Sequence, residues 1–418
     1  MLRQWILGKK EPKDNDLFMW NVIGSGIYAV ASMVLTYLTI RVIGAEDGGI
    51  FAIGLTLAQM FVYIAYYETR NFQVTDSKNK YQFEDYYAVK VFNCIIMMLA
   101  VIGYVVVKQY DGYKMCVVIL VGIYRMLDGY SDVFEGQFHN CGRLDLAGKS
   151  MAFRTIFSVI VYFLILIVTH NLIFAMIGAI VSGVVGIYLF NIYIFDGFGK
   201  IKIIWNLNKM IGIWRECFPL FVGMFLWTYL LSASRIAVDN VMSGEYQSYY
   251  QVLFMPVSVI NLFAGFLMRP QLIPLSELWA KQQNRDFWKI IRSIMLKLCV
   301  FTIFCMILAY LLGIPVLSVI VGCPLENYEM LLTFLVFAGG FNSIACTLYY
   351  VLTIMRNQKG IMCSYIISSL IALIISTPLT RKYELWGAAF SYFLSILALM
   401  ITFIVIIINI QRKCKNEV

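Results

Sequence analysis

Charge is scarce in this chain. Only 14% of its 418 residues are Asp, Glu, Lys or Arg and 61% are hydrophobic, against about 25% charged and 45–50% apolar in soluble domains. Large water-facing domains are thereby excluded. Histidine is scarcer still: His139 and His170 are the only two, one expected in a loop and one in a short hairpin, so neither has partners for a triad or a metal site. The ten cysteines form no C-x-x-C pair and most lie inside apolar runs, which argues against a disulfide framework and a zinc site. H-E-x-x-H and G-x-S-x-G are absent, and no outer segment is long enough to hold an acceptor glycan for polymerisation or ligation. The stretch Gly142 to Ser150 mimics a phosphate loop, but a Walker A loop has four residues between its glycines and here Gly142 and Gly148 are separated by five. It also follows no strand. No nucleotide site, cofactor or nucleic-acid partner is expected.

What the chain has in abundance is long apolar runs. A span needs about 20 apolar residues, and a window of about 19 residues places spans near 18–40, 49–67, 86–107, 115–135, 151–169 and 171–195, then near 217–238, 248–268, 294–314, 330–354, 361–379 and 386–410. The runs are continuously apolar rather than alternating, so they predict helices and not barrel strands. The first run starts near Phe18 and lacks a small-residue cleavage pattern, so it is expected to be a retained helix and not a signal peptide. The fourth span is the weakest because it carries four charges.

The surplus of Lys and Arg, 33 against 24 acids, reads as topology. With the N-terminus inside, 26 of the 33 fall in cytoplasmic segments and six outside, a bias that the positive-inside rule resolves with both termini cytoplasmic. Six spans precede the basic link at 196–216, so the second six re-enter the membrane in the same direction. An all-α integral membrane protein of about twelve helices in two pseudo-symmetric six-helix lobes, 1–208 and 209–418, follows, an arrangement that transporters use.

Four charges of the fourth span, Arg125, Asp128, Asp132 and Glu135, fall within about 80° of arc at 100° per residue. Charge at the bilayer centre costs on the order of 2.5–3.5 kcal/mol each, so such residues usually face a bundle interior or an aqueous cavity. The stripe is therefore expected to line a cavity, and Asp128, Asp132 and Glu135 are candidates for coupling to H+ or Na+. The alternative is that Arg125 only pairs with an acid one turn away. Arg235 and Asp239, like Arg41 with Glu46 and Asp47, stand near outer span ends, where snorkelling and a surface ion pair compete with ligand contact. Pro256 interrupts the eighth span, where it removes a backbone donor. Arg269 follows that span at its cytoplasmic end, where an anionic headgroup would first meet a guanidinium able to grip phosphate oxygens bidentately.

Three segments carry a resemblance: Gly136 to Arg154, the run Met255-Pro-Val-Ser-Val-Ile-Asn261 leading to Phe266-Leu-Met-Arg-Pro270, and Tyr349 to Gly360. They resemble the polysaccharide-transporter, Wzx-like lipid-linked oligosaccharide flippases of the multidrug/oligosaccharidyl-lipid/polysaccharide (MOP) exporter superfamily. The resemblance implies a MATE-like pair of lobes around a central cavity in the bacterial cytoplasmic membrane. It implies alternating access that carries an undecaprenyl-diphosphate-linked repeat unit outward for O-antigen, capsule or exopolysaccharide synthesis. Membrane lipids and the machinery that polymerises the polysaccharide are the implied partners, and Arg125, Arg154, Arg235 and Arg269 the matching cavity cations. The acids of the fourth span depart from a purely cationic cavity. A membrane-embedded glycan acyltransferase and a multidrug exporter of the same superfamily are the other readings of so apolar a chain.

Overall fold

In the computed structural model the described residues are Ile6 and residues 14–76, 80–199 and 201–416, and among them the regular structure is helical with no strand. The chain divides into two compact units, Met1–Phe225 and Leu226–Val418. The division falls inside a helix, beyond the expected 208/209 boundary.

The first unit holds α1 (Asp14–Ile43), α2 (Ala45–Tyr66), the short α3 (Thr69–Thr75), α4 (Phe83–Val107), α5 (Gly112–Asn140), α6 (Leu144–Thr169), α7 (Leu172–Ile187) and the start of α8 (Leu207–Val241). Its closest packing is α1 along α6, α2 along α5 and α6 along α7. Where α1 crosses α6 the side chains vanish: a Cβ on Gly24 would strike the Gly148 carbonyl, and one on Gly148 would strike the Trp20 carbonyl. Glycine pairs of this kind let membrane helices approach backbone to backbone. The phosphate-loop mimic is thus the turn at Gly142 and Arg143 followed by the first turns of α6, whose Gly148 serves packing. Beside it Asp145 accepts from Arg143 at 2.9 Å and from Lys149 at 3.0 Å, so the charges of this segment pair with each other.

The second unit continues with α9 (Gly244–Met268), α10 (Leu272–Ala280), α11 (Asn284–Leu308), α12 (Ile314–Val321), α13 (Glu329–Ile354) and α14 (Gln358–Asn416). Here α13 is central, packing on α9, α11 and α14. Pro256 lies within the continuous α9. Of α14's 59 residues, Tyr383 and Glu384 leave helical geometry, Glu384 at φ 51° and ψ −134°. Gly387 is required just after this break, because a Cβ there would meet the Leu379 carbonyl. The two last expected spans lie on either side of it.

Ten described helices are long and apolar enough to cross a membrane. The charges of α5 keep it out of that set and the kinked α14 enters it once, so each of the twelve expected spans coincides with helix. The protein is a multi-pass membrane protein. Among the residues behind the charge bias, Arg3, Lys9, Lys10, Lys13, Lys78 and Lys200 lie outside the described residues, as do the side chains of Lys413 and Lys415.

Candidate functional site

The polar stripe of α5 becomes a site only when its neighbours are added. Three helices contribute cations to it: Arg70 from α3, Lys90 from α4 and Arg154 from α6. Each carboxylate then has two partners. Asp128 accepts from Arg125 at 3.0 Å and from Arg154 at 3.1 Å. Glu135 stands 3.5 Å from Arg154 and 3.1 Å from Arg70. Asp132 stands 3.4 Å from Arg70 and 2.8 Å from Lys90. The result is one unbranched chain of alternating sign, Arg125, Asp128, Arg154, Glu135, Arg70, Asp132, Lys90, with a cation at each end and one surplus positive charge. The acidic excess that α5 shows by itself is reversed.

Local structure explains how these side chains converge. Between α2 and α3, Tyr67 and Glu68 both take positive φ, 45° and 55°, a left-handed geometry that costs about 1–3 kcal/mol per residue and needs support from its surroundings. Tyr67 has that support, stacking on Phe221 with centroids 4.3 Å apart. The turn delivers Arg70 to the network, and Gln73 fixes α3 by donating to the Val133 carbonyl at 3.2 Å and to Gln137 at 3.1 Å. Gly136 on α5 leaves room for the Gln73 amide. Lys90 is fully buried. It also donates to the Tyr66 carbonyl at 3.2 Å, one of the C-terminal carbonyls that α2 leaves without an intrahelical partner. At the opposite end Arg125 donates to the Ser32 hydroxyl and lies 5.2 Å from the Tyr28 ring centroid.

A cavity of about 230 Å³ borders the network, and Tyr28, Tyr66, Glu68, Asp128, Asp132 and Arg154 are among its lining residues. The expected stripe therefore reaches an open space, but every one of its charges is already neutralised by a neighbour. Of the α5 stripe, Asp128, Asp132 and Glu135 line this space and Arg125 does not, so an anion entering here would compete with carboxylates for Arg70 and Arg154.

Arg235 is different. It sits on α8 in the second unit with 8% of its surface exposed, and its contacts are neutral: the Leu231 carbonyl at 3.1 Å, the Gln251 amide oxygen at 3.4 Å and the Phe254 ring with its centroid at 5.0 Å. Its Nε has no hydrogen-bond partner. Among the described residues no carboxylate pairs with it, Asp239 one turn on included. Arg269 ends α9 in a short 3-10 turn and is exposed. Sequence reading missed Lys90 and Arg70 as members of the site. A lysine inside the apolar run Tyr87-Ala-Val-Lys-Val-Phe92 was the available signal, because an ammonium there must find a buried partner or reach water.

The described residues contain no group of three or more His, Cys, Asp or Glu placed to hold a metal. The first unit thus holds a buried chain of alternating charges, and the second a buried guanidinium with no carboxylate partner among the described residues. No family model matches the chain. It is 24% identical over 399 residues to the capsular polysaccharide biosynthesis protein CapF of Staphylococcus aureus, covering 93% of this chain and 97% of that one. Among solved structures it resembles the lipid II flippase MurJ in an inward closed conformation, with a TM-score of 0.68 and 12% identity over 93% of this chain and 87% of that one. It also resembles the Vibrio cholerae MATE transporter VcmN in a bent form, with a TM-score of 0.54 and 10% identity over 96% and 97%. An outward-facing MATE family transporter of the MOP superfamily matches at a TM-score of 0.53 and 12% identity, over 98% of this chain and 96% of that one. The fold is the one seen in the MurJ flippase and the MATE transporters.

Proposed function

We propose that the protein is a flippase that moves an undecaprenyl-diphosphate-linked oligosaccharide repeat unit outward across the bacterial cytoplasmic membrane by alternating access, with both termini cytoplasmic, for synthesis of a surface polysaccharide. The observation that carries this reading is Arg235. A buried guanidinium is costly unless an anion meets it, and the structure supplies only a carbonyl, an amide and a ring. A diphosphate is the one anionic group common to such substrates whatever their sugars, and a guanidinium fork matches its oxygens. Support comes also from CapF, named for capsular polysaccharide biosynthesis, and from MurJ, named as a flippase of lipid II.

In this reading Arg235 and Arg269 are the cations open to the diphosphate. Arg125 and Arg154 hold Asp128 and are available only when that pairing breaks. Asp128, Asp132 and Glu135 remain the coupling carboxylates, and H+ or Na+ would take the place of a departing cation at one of them.

The test is a deletion strain. Loss of the protein should leave the lipid-linked repeat unit accumulated on the inner leaflet and the surface polysaccharide missing. The intact gene should restore both and Arg235→Ala should restore neither, at equal membrane abundance. Normal polysaccharide with altered drug susceptibility would establish a multidrug exporter instead, and a repeat unit lacking an acyl group would establish an acyltransferase.

A further inference from the structure

A cavity of about 1110 Å³ lies within the second unit, where α11, α13 and the end of α14 meet, and Arg235 is not among its lining residues. Its rim is basic and aromatic: Arg285, Lys289 and Arg292 on α11, with Trp279 and Trp288 beside them. Its floor is apolar, made by Met295, Leu348, Ile404 and Ile407. At 100° per residue the three cations fall within about 60° of one another on α11. The same stripe runs on through Leu296, Val300 and Ile303, which are 66%, 60% and 57% exposed. One outward face thus changes from basic to apolar along the helix, as a face does when it passes from headgroups into acyl chains.

These cations are not spent on the protein. Among the described residues no carboxylate pairs with Arg285, Lys289 or Arg292. Asp286 projects about 100° away from Arg285, and Glu277 is 3.7 Å from Lys281. The two indoles are held by Phe287, whose ring centroid is 5.3 Å from each, in the manner of an interfacial aromatic belt.

We infer that this groove is a binding site for one anionic glycerophospholipid, its phosphate held by Arg285, Lys289 and Arg292 and its acyl chains laid on the Met295 and Ile404 floor. Basic pockets between membrane helices hold anionic headgroups in this way. Length favours a phospholipid over a polyprenyl chain. From Arg285 to Met295 the groove follows α11 for ten residues, about 15 Å at 1.5 Å per residue, which is one leaflet of a hydrocarbon core about 30 Å thick. A long polyprenyl tail would overrun it. The site goes beyond the transport reading, because a phospholipid here is a resident of the protein and not its cargo.

Native mass spectrometry of the full-length protein, titrated with phosphatidylglycerol or phosphatidylcholine, tests the site. The wild type should retain one phosphatidylglycerol in preference to phosphatidylcholine, and its unfolding midpoint should rise with the former only. Arg285→Gln, Lys289→Gln and Arg292→Gln together should weaken retention about a hundredfold, taking each cation near an anionic headgroup at its usual worth. Arg285→Lys with Arg292→Lys should stay within a few-fold of wild type. Met295→Trp should also expel the lipid, although every cation remains. Equal retention of both lipids by the wild type would overturn the site whatever the variants do. So would retention by the triple variant within threefold of wild type, or one-for-one displacement of phosphatidylglycerol by a polyprenyl phosphate.

Discussion

Asp132→Asn is the sharpest probe of the charge chain, because it removes a charge while keeping the shape. Asp132 bridges Lys90 at 2.8 Å and Arg70 at 3.4 Å. Arg70 would keep Glu135 at 3.1 Å, so the loss concentrates on Lys90, whose side chain is 0% exposed. Stranding a buried charge costs about 3–5 kcal/mol. At roughly 2–4 °C per kcal/mol for a body of 150–250 residues, the unfolding midpoint should fall by about 6–20 °C. A stripe bordered only by water would lose far less. Lys90→Met added to Asp132→Asn should recover most of the fall, since it removes the ammonium that the single variant leaves buried and unpaired. Thermal unfolding of the purified protein, read by the intrinsic fluorescence of its eight tryptophans, measures both variants. A midpoint within 2 °C of wild type for the single variant would refute the reasoning, as would a double variant less stable than the single.

Three further outcomes are expected. An impermeant thiol reagent should reach a cysteine at Asp111 or Glu384 from outside and one at Asn284 or Asn357 only from inside, after replacement of the exposed Cys141, Cys299 and Cys363; the reverse pattern would end the proposed orientation. Gly148→Val should separate α1 from α6 and lower the membrane abundance of the protein by at least half, overpacking costing about 1–3 kcal/mol or more, whereas Gly26→Ala, with open space around it, should leave abundance unchanged in an immunoblot. Arg269→Lys should insert normally yet transport more slowly than wild type, with Arg269→Ala slower again; full transport by the lysine variant would make Arg269 an anchor for topology only.

The sequence made the spans legible because hydrophobic run length is a local property, and it also exposed the one helix that breaks the rule. What it could not show was who neutralises α5. Periodicity placed Arg125, Asp128, Asp132 and Glu135 on one face, but Arg70, Lys90 and Arg154 reach them from three other helices. Arg154 entered only through the resemblance, as a cavity cation, and Lys90 could not be told from a topology anchor, because a basic residue near a span end has the same local signature whether it faces water or a buried acid. Arg235 was legible as a cation but not as an unpaired one, since Asp239 four residues on suggested a partner by spacing alone. The division of α14 was anticipated, but the two residues that leave helical geometry, Tyr383 and Glu384, are neither proline nor glycine, and the close approach of Gly387 to the Leu379 carbonyl is visible only in the folded helix.

The alternating chain also constrains how the protein can be made. Presented alone to lipid, α5 carries four charges costing on the order of 10 kcal/mol together, more than its apolar residues can offset. It cannot leave the insertion machinery as an independent span. Lys90 and Arg70 are synthesised before it, but Arg154 is synthesised after it and is the partner that joins Asp128 to Glu135. Release of α5 into the bilayer therefore has to wait for α6, so the first unit enters the membrane as a cooperative block and not helix by helix.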